Sequence, residues 1–458
     1  METPKEKIIQ IIDQQRAFFQ TQSTKNIEKR IAELQRLKEL ILLNEKRIAE
    51  ALFQDLHKSH EESSLTEIAL VISEINYHIK HLQKWSRPQR VKGALFTFPG
   101  QGYIQYEPYG VVLIIAPWNY PFQLLLSPLV GAMAAGNCVI LKPSPQSAHT
   151  SSLLAELFEG AFAKRYISVI EGDKQTNQAL LAQRFDYIFF TGGINFGRYV
   201  AECAARYLTP ITLELGGKSP CIVSEYADIN LSARRIVWGK LLNAGQTCIA
   251  PDYLLVHKSK ADQLIKTLKK YIIQQFDINP SKTEYYPHII SSEALQRLES
   301  LLDSGGEIIF GRGINRESLC MEPTIILNPD LNSRLMTEEI FGPIIPIITY
   351  DRISEAIQLI NNREKPLALY YFGSKKEAWQ VVASTSSGGM CINDTIMHIV
   401  NRHLPFGGVG QSGMGRYHGK KSFKTFSNPK SIYQGSTWMD MKMKYAPYKI
   451  PAFLKRFI

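Results

Sequence analysis

Between Thr24 and Leu56 apolar residues recur at helical spacing. Ile27, Ile31, Leu34, Leu37, Leu40, Ile41 and Ile48 share one face, with Lys, Arg and Glu on the other. The stripe predicts amphipathic helices, and 62–86 repeats it, so the first ninety residues read as helical. Pro88 and the Gly/Pro group at 93–102 punctuate the end of this region. From about residue 103 the period changes. Short continuous apolar runs at 111–116, 138–141, 166–170, 187–190 and 221–223 alternate with helix-like stretches at 122–135, 148–163, 176–183 and 196–206. Runs this short and apolar on both faces predict buried strands. Strands spaced by helices of this length predict parallel βαβ units in a doubly wound α/β sheet. A second alternating region spans about 216–425, with strand-like runs at 253–256, 344–350 and 369–372 and helices at 260–276, 354–362 and 376–385. The residues from about 430 onward form an arm rather than a domain.

Length and composition narrow the picture. A chain of 458 residues exceeds what one core supports, which predicts two large domains. Hydrophobic residues at 45% and charged residues at 21% fit a folded enzyme and exclude a disordered chain. The net charge of +11 raises the question of anionic partners. Basic residues gather at 80–92 and near the end (Lys442, Lys444, Lys449, Lys455, Arg456), without a nucleic-acid motif. Acidic residues interleave them through most of the chain, so a solvated basic surface is expected, with no nucleic-acid partner. The six cysteines form no C-x-x-C pair, and the N-terminus has no apolar signal core; both point to a reduced, cytoplasmic compartment. The uncharged stretch 110–141 is interrupted by Pro117, Pro121 and Pro128, so it reads as a buried strand, turn and helix rather than a membrane span. The ten histidines show no metal-ligand spacing, and no metal is expected.

Several residues suit chemistry. Cys248 closes the sequence NAGQTC, where small neighbours give a thiol access to a carbonyl. Glu214, in LELGGK, follows an apolar run and precedes paired glycines; burial there would raise its pKa and let it activate water. Asn119, in APWNYP, offers a neutral donor to a developing oxyanion. Lys142 ends the second strand-like run, where a cation meets ribose or phosphate. Gly192 and Gly193, followed by Gly197, stand at a strand-to-helix junction suited to a pyrophosphate. Glu339 and Phe341, in EEIFGP, offer a carboxylate to a ribose and a ring to pack beside a nicotinamide. Each has an ordinary alternative: a core thiol, a helix cap or ion pair to Lys218, an Asx-turn between prolines. No G-x-G-x-x-G follows the first strand, so a dinucleotide site here uses another phosphate turn.

Taken together, APWNYP, LKPS, FTGG, LELGGKSP, NAGQTC, EEIFGP and PFGGVGQSGMGRYHGKKSF resemble the aldehyde dehydrogenase superfamily in order and spacing. The short N-terminus, CIND at 391–394 and YHG at 417–419 resemble its class 3-like branch. The resemblance implies two doubly wound parallel-sheet domains plus a small oligomerisation β-arm. Their implied limits are 1–90 for the helical part of the cofactor domain, 91–215 for its Rossmann-like sheet, 216–425 for the catalytic domain and 426–458 for the arm and tail. It implies Cys248 as nucleophile, Asn119 and the Cys248 backbone N–H as oxyanion hole, and Glu214 as the base for thioester hydrolysis, a role Glu339 shares. It implies a cofactor site of Trp118, Lys142, Gly192, Gly193, Gly197, Glu339 and Phe341, with Tyr417 and His418 near the cleft. The implied reaction is NAD(P)-dependent oxidation of a medium- or long-chain aliphatic or aromatic aldehyde to the acid.

Two departures stand out. Pro145 replaces the glutamate that favours NAD in many members, which opens the site to NADP. Gly193 replaces the usual serine of the phosphate turn. The branch implies a homodimer, with strands near 103–107 and 430–434 as candidates for exchange between domains or subunits. The aromatic and basic tail at 445–458 suits a partner subunit or peripheral contact with an anionic membrane. The rivals are a CoA-acylating relative, which usually lacks the water-activating glutamate, and a non-catalytic cofactor-binding protein of the same fold.

Overall fold

The uncharged stretch 110–141 forms the buried centre of the first sheet. Strand Val111–Ile115, helix Gln123–Ala135 and strand Cys138–Lys142 are buried at every position. A computed structural model describes residues 3–94, 97–303 and 305–448. Lys449, Lys455 and Arg456, with most of the tail expected to meet a partner or a membrane, lie outside the described residues.

Six strands form the first sheet, in the order Gly413–Met414, Ile211–Leu215, Tyr187–Gly192, Val111–Ile115, Cys138–Lys142 and Ile167–Val169. All neighbours run parallel except the first pair. Val111–Ile115 lies between Tyr187–Gly192 and Cys138–Lys142, so the winding reverses direction there. A crevice opens beyond the C-terminal end of such a strand, and 116–121 begins at that end. Helices Lys5–Gln20, Ile27–Leu43, Glu45–Leu56 and Ala69–Trp85 bury their apolar stripes in the same core.

Seven strands form the second sheet, in the order Glu307–Phe310, Thr324–Leu327, Ile344–Tyr350, Tyr253–His257, Pro220–Val223, Ala368–Phe372 and Gly389–Ile392. Its pairs are parallel apart from an antiparallel edge at Glu307–Phe310. A small antiparallel sheet joins Gln89–Val91, Gln101–Pro108 and Ser427–Gln434. The two segments expected to exchange pair within the chain, Tyr103 opposite Ile432 and Gln105 opposite Lys430.

Two placements differ from the sequence expectation. Within 216–425, the segment from 413 onward packs on the first sheet: Gly413 pairs with Glu214, and helix Lys420–Thr425 lies against Gln123–Ala135. Glu214 stands inside strand Ile211–Leu215 rather than after it. Alternation hides that position, because a buried carboxylate interrupts the apolar run. No helix among the described residues is long and apolar enough to cross a membrane.

Candidate active site

The chain reverses sharply before Cys248. Asn243, Ala244 and Gly245 take φ values of 52°, 51° and 75°, a left-handed turn that follows helix Ile229–Leu241. Asn and Gly adopt this region readily, whereas Ala244 carries backbone strain of about 1–2 kcal/mol. A side chain at Gly245 would place its Cβ 2.3 Å from the Gly342 carbonyl oxygen, so only glycine fits. The turn presents 246–248 to the end of Val111–Ile115. Asn119 Nδ2 donates to the Gln246 carbonyl (2.9 Å), and Tyr120 and Thr247 share a hydroxyl hydrogen bond of 2.7 Å. All six cysteines are free; five are buried, and Cys248 alone keeps partial exposure.

A cavity of about 230 Å³ lies between the sheets. Cys248, Glu214, Asn119 and Glu339 all line it, and so do Trp118 and Phe341. Gly192 and Gly193 line it as well, whereas Lys142 and Gly197 do not; Thr191, Leu124 and Gly216 join it without having been expected. Trp118 and Phe341 meet edge to face, 5.4 Å between centroids at 84°. Phe341 itself has φ 51°, an uncommon conformation for an aromatic residue, often kept at functional sites.

The carboxylates differ in surroundings. Glu214 is 3% exposed, and neither of its oxygens has a hydrogen-bond partner. Burial holds its carboxyl well above the usual range, opposed by Arg416. Burial also raises Glu339, to about 8, with Asp252 adding to the rise and the Gly217 N–H, Lys218 and Arg297 opposing it. The Cys248 thiol is pushed up by burial and by the Glu339 and Glu214 carboxylates, against the backbone N–H groups of Cys248 and Ile249.

The residues expected to hold a dinucleotide fall in different places. Helix Ile194–Ala205 starts after Gly193 with no side-chain cap, which leaves its first N–H groups for an anion. Space beside the Gly193 Cα is open. Gly197 does not fit the expected phosphate role. Its N–H donates to the Gly193 carbonyl (3.0 Å), and a Cβ there would sit 2.5 Å from Leu215 Cδ2. It is a close-packing glycine between helix and sheet. Lys142 is buried at the end of its strand, outside the cavity lining, with Nζ donating to the Pro143 carbonyl (2.7 Å). The uncapped helix N-terminus after Gly193 and the open space beside it fit a dinucleotide phosphate.

Tyr417 and His418 sit behind the cavity rather than in its lining. Tyr417 is 1% exposed, packs edge-on against Phe189, and bonds Gln123. His418 stacks on Phe406, and its Nδ1 meets the Ile399 carbonyl at 3.2 Å. Among the described residues no cluster of His, Cys, Asp or Glu has a metal-holding arrangement.

Residues 1–432 match the family model described as the aldehyde dehydrogenase family. The chain belongs to the aldehyde dehydrogenase family. It is 46% identical over 447 residues to the 4,4'-diaponeurosporen-aldehyde dehydrogenase of Staphylococcus aureus, across 96% of this chain and 97% of that protein. It is 42% identical over 444 residues to the dimeric NADP-preferring aldehyde dehydrogenase of Canis lupus familiaris, across 96% of this chain and 98% of that protein. A solved structure described as the substrate-bound state of Staphylococcus aureus AldH superposes with a TM-score of 0.96 at 44% identity, covering 98% of this chain and 99% of that one. The family 3 character of its relatives agrees with the class 3-like branch. This aldehyde dehydrogenase is an oxidoreductase that converts aldehydes to carboxylic acids.

Proposed function

We propose that this aldehyde dehydrogenase works through a thioester on Cys248, hydrolysed by water that Glu214 activates. The observation that supports it is the single cavity joining Cys248, Asn119, Glu214 and Glu339. The ionised Glu339 carboxylate takes the Cys248 thiol proton as Sγ bonds the aldehyde carbon, and the carbonyl oxygen becomes an oxyanion beside the second Asn119 N–H and the Cys248 backbone N–H. A bound nicotinamide dinucleotide would supply the hydride acceptor for that carbon. Glu214 then takes a proton from water, the hydroxyl bonds the acyl carbon, and the carbon–sulfur bond breaks to release the acid. Glu214 suits the base role better than Glu339. Its oxygens are unbonded, whereas Glu339 accepts the Gly217 N–H and faces Lys218 and Arg297. This also weighs against release to CoA, which needs no water-activating carboxylate.

Glu339 and Phe341 would hold the nicotinamide ribose and ring beside Trp118, and Lys142 the adenosine ribose. Pro145 is exposed and offers no carboxylate to oppose a 2′-phosphate, so both NAD and NADP are proposed cofactors. The NADP-preferring relative supports this. Trp118 and Tyr120 beside the oxyanion donor suit an apolar substrate, a medium- or long-chain or aromatic aldehyde. A homodimer in the cytoplasm is proposed, with the exposed strand Ser427–Gln434 available to a partner.

The deciding experiment is Cys248→Ala, followed by the near-UV absorbance of reduced nicotinamide. Oxidation should vanish while cofactor binding, read by fluorescence titration, persists. Surviving oxidation would refute the nucleophile assignment. A kcat/KM series over aldehyde chain length, with both dinucleotides, then defines substrate and cofactor.

A further inference from the structure

We propose that Glu62, together with the buried Lys58–Glu67 pair, positions the oxyanion hole through Asn243. The inference rests on the oxyanion assignment above. None of these three charged residues lines the cavity, yet each bonds a segment that does.

Lys58 and Glu67 are both 0% exposed and form an ion pair of 2.5 Å. The second Glu67 oxygen accepts the N–H groups of Phe122 (3.0 Å) and Gln123 (3.1 Å), where helix Gln123–Ala135 begins. Lys58 Nζ also donates to the Asn119 carbonyl (3.3 Å) and lies 4.2 Å from the Tyr120 ring centroid. Lys58 and Glu67 thus hold the segment 119–123 from behind. Glu62 holds the other half. Its Oε1 accepts the Asn243 N–H at 2.8 Å, at the first left-handed residue of the nucleophile turn. Asn243 Nδ2 closes the circuit by donating to the Asn119 carbonyl (2.7 Å) and the Gln246 carbonyl (3.2 Å).

The local helix geometry serves this arrangement. Residues five apart on an α-helix point about 140° away from each other, which would separate Glu62 from Glu67. The π-helical turn Ser64–Ile68 widens the helix between them and brings both carboxylates toward the catalytic loops. A buried ion pair contributes little net stability, because desolvation cancels much of its attraction. Its effect here is to fix two loops relative to each other. Burial and the Glu67 charge push the Glu62 carboxyl up to about 7, opposed by Lys58 and the Asn243 N–H. An oxyanion donor acts only at the right distance, so a displacement of about 1 Å costs on the order of 100-fold in rate.

The test reads the first hydride transfer as a stopped-flow burst, with hexanal and saturating NAD or NADP. Glu62→Ala should slow the burst about 10- to 100-fold. Cofactor KM should move by less than about twofold, since the cofactor contacts are untouched. Glu62→Gln keeps an acceptor for the Asn243 N–H and should recover most of the rate. In an Asn119→Ala background, Glu62→Ala should cost less than about threefold more, because the donor it positions is gone. Full additivity in that pair, or a parental burst rate in Glu62→Ala, would overturn the proposal. A parental rate in Asn119→Ala would instead overturn the oxyanion assignment beneath it. If Glu62→Ala does not fold, Asn243→Gly carries the test. It suits the positive φ and keeps the N–H for Glu62 but removes the bond to Asn119, so an unchanged burst there also overturns the proposal.

Discussion

Replacing Glu214 by glutamine should make this enzyme slower and more stable at once. The two side chains are nearly the same size, and neither Glu214 oxygen has a hydrogen bond to lose. The change therefore leaves strand Ile211–Leu215 and the cavity intact. Burial raises the carboxyl's folded pKa well above the ordinary value. Above about pH 4.3 the unfolded chain has released this proton while the native chain still holds it. Native protein then binds more protons than unfolded protein, so stability falls as pH rises from that value toward the folded pKa. The slope is roughly 1.4 kcal/mol per pH unit. Glutamine cannot ionise and escapes that loss. Glu214→Gln should melt above the parent at pH 8, with the gap narrowing toward pH 5 and levelling off below about pH 4.

Activity should move the other way. Loss of a general base costs about 100- to 10,000-fold in the step it serves. Deacylation should slow by at least about 100-fold, while the first hydride transfer continues. Stopped-flow absorbance should show a burst near one reduced nicotinamide per active site, followed by slow turnover. The parent's hydrolysis rate should rise with pH as Glu214 ionises, and the variant should lose that rise. An unchanged steady-state kcat would assign the water to another base. A stability gap that widens as pH falls would show that the native state favours the ionised carboxylate, contrary to its burial.

Three further outcomes follow from the geometry. Gly216→Ala would place a Cβ 1.9 Å from Glu339 Oε2, so it should displace that carboxylate and raise the cofactor KM, measured by kinetic titration. Gly197→Ala overpacks Leu215 and should cost about 1–3 kcal/mol of stability with cofactor affinity nearly unchanged; weaker binding at constant Tm would restore Gly197 to the phosphate site. Pro145→Glu should raise the NAD-to-NADP ratio of kcat/KM by about tenfold, equal to about 1.4 kcal/mol. An unchanged ratio would show that position 145 does not reach the adenosine ribose.

The first-sheet strands at 111–115, 138–142, 167–169 and 187–192 were legible because continuous apolar runs signal burial on both faces. Ile211–Leu215, broken by Thr212 and Glu214, was not among the runs, and the run at 221–223 belongs to the second sheet. The edge strand Gly413–Met414 was not legible, since two residues carry no period. Gly197 looked like part of a phosphate turn because it follows Gly192 and Gly193 closely. Its helix and the neighbouring Leu215 show that it is there for space. Tyr417 and His418 lie near the site in sequence motif and in space, but their rings turn into the aromatic packing behind it.

The amino-acid sequence by itself determined two layers of this protein: the periodicities that make its helices and strands, and the motifs that supply a thiol, an amide and carboxylates. Both are local properties, readable within a few residues. Only the tertiary structure decided how those groups meet. Asn119 and Gln246 are 127 residues apart in the chain, yet one hydrogen bond joins them. Lys58, Glu62 and Glu67 look in sequence like the polar face of a helix, the usual fate of charge at that spacing. Whether such a face meets water or a catalytic loop depends on what packs against it. That is why the groups proposed to do the chemistry were visible from the start, and those proposed to hold them in place were not.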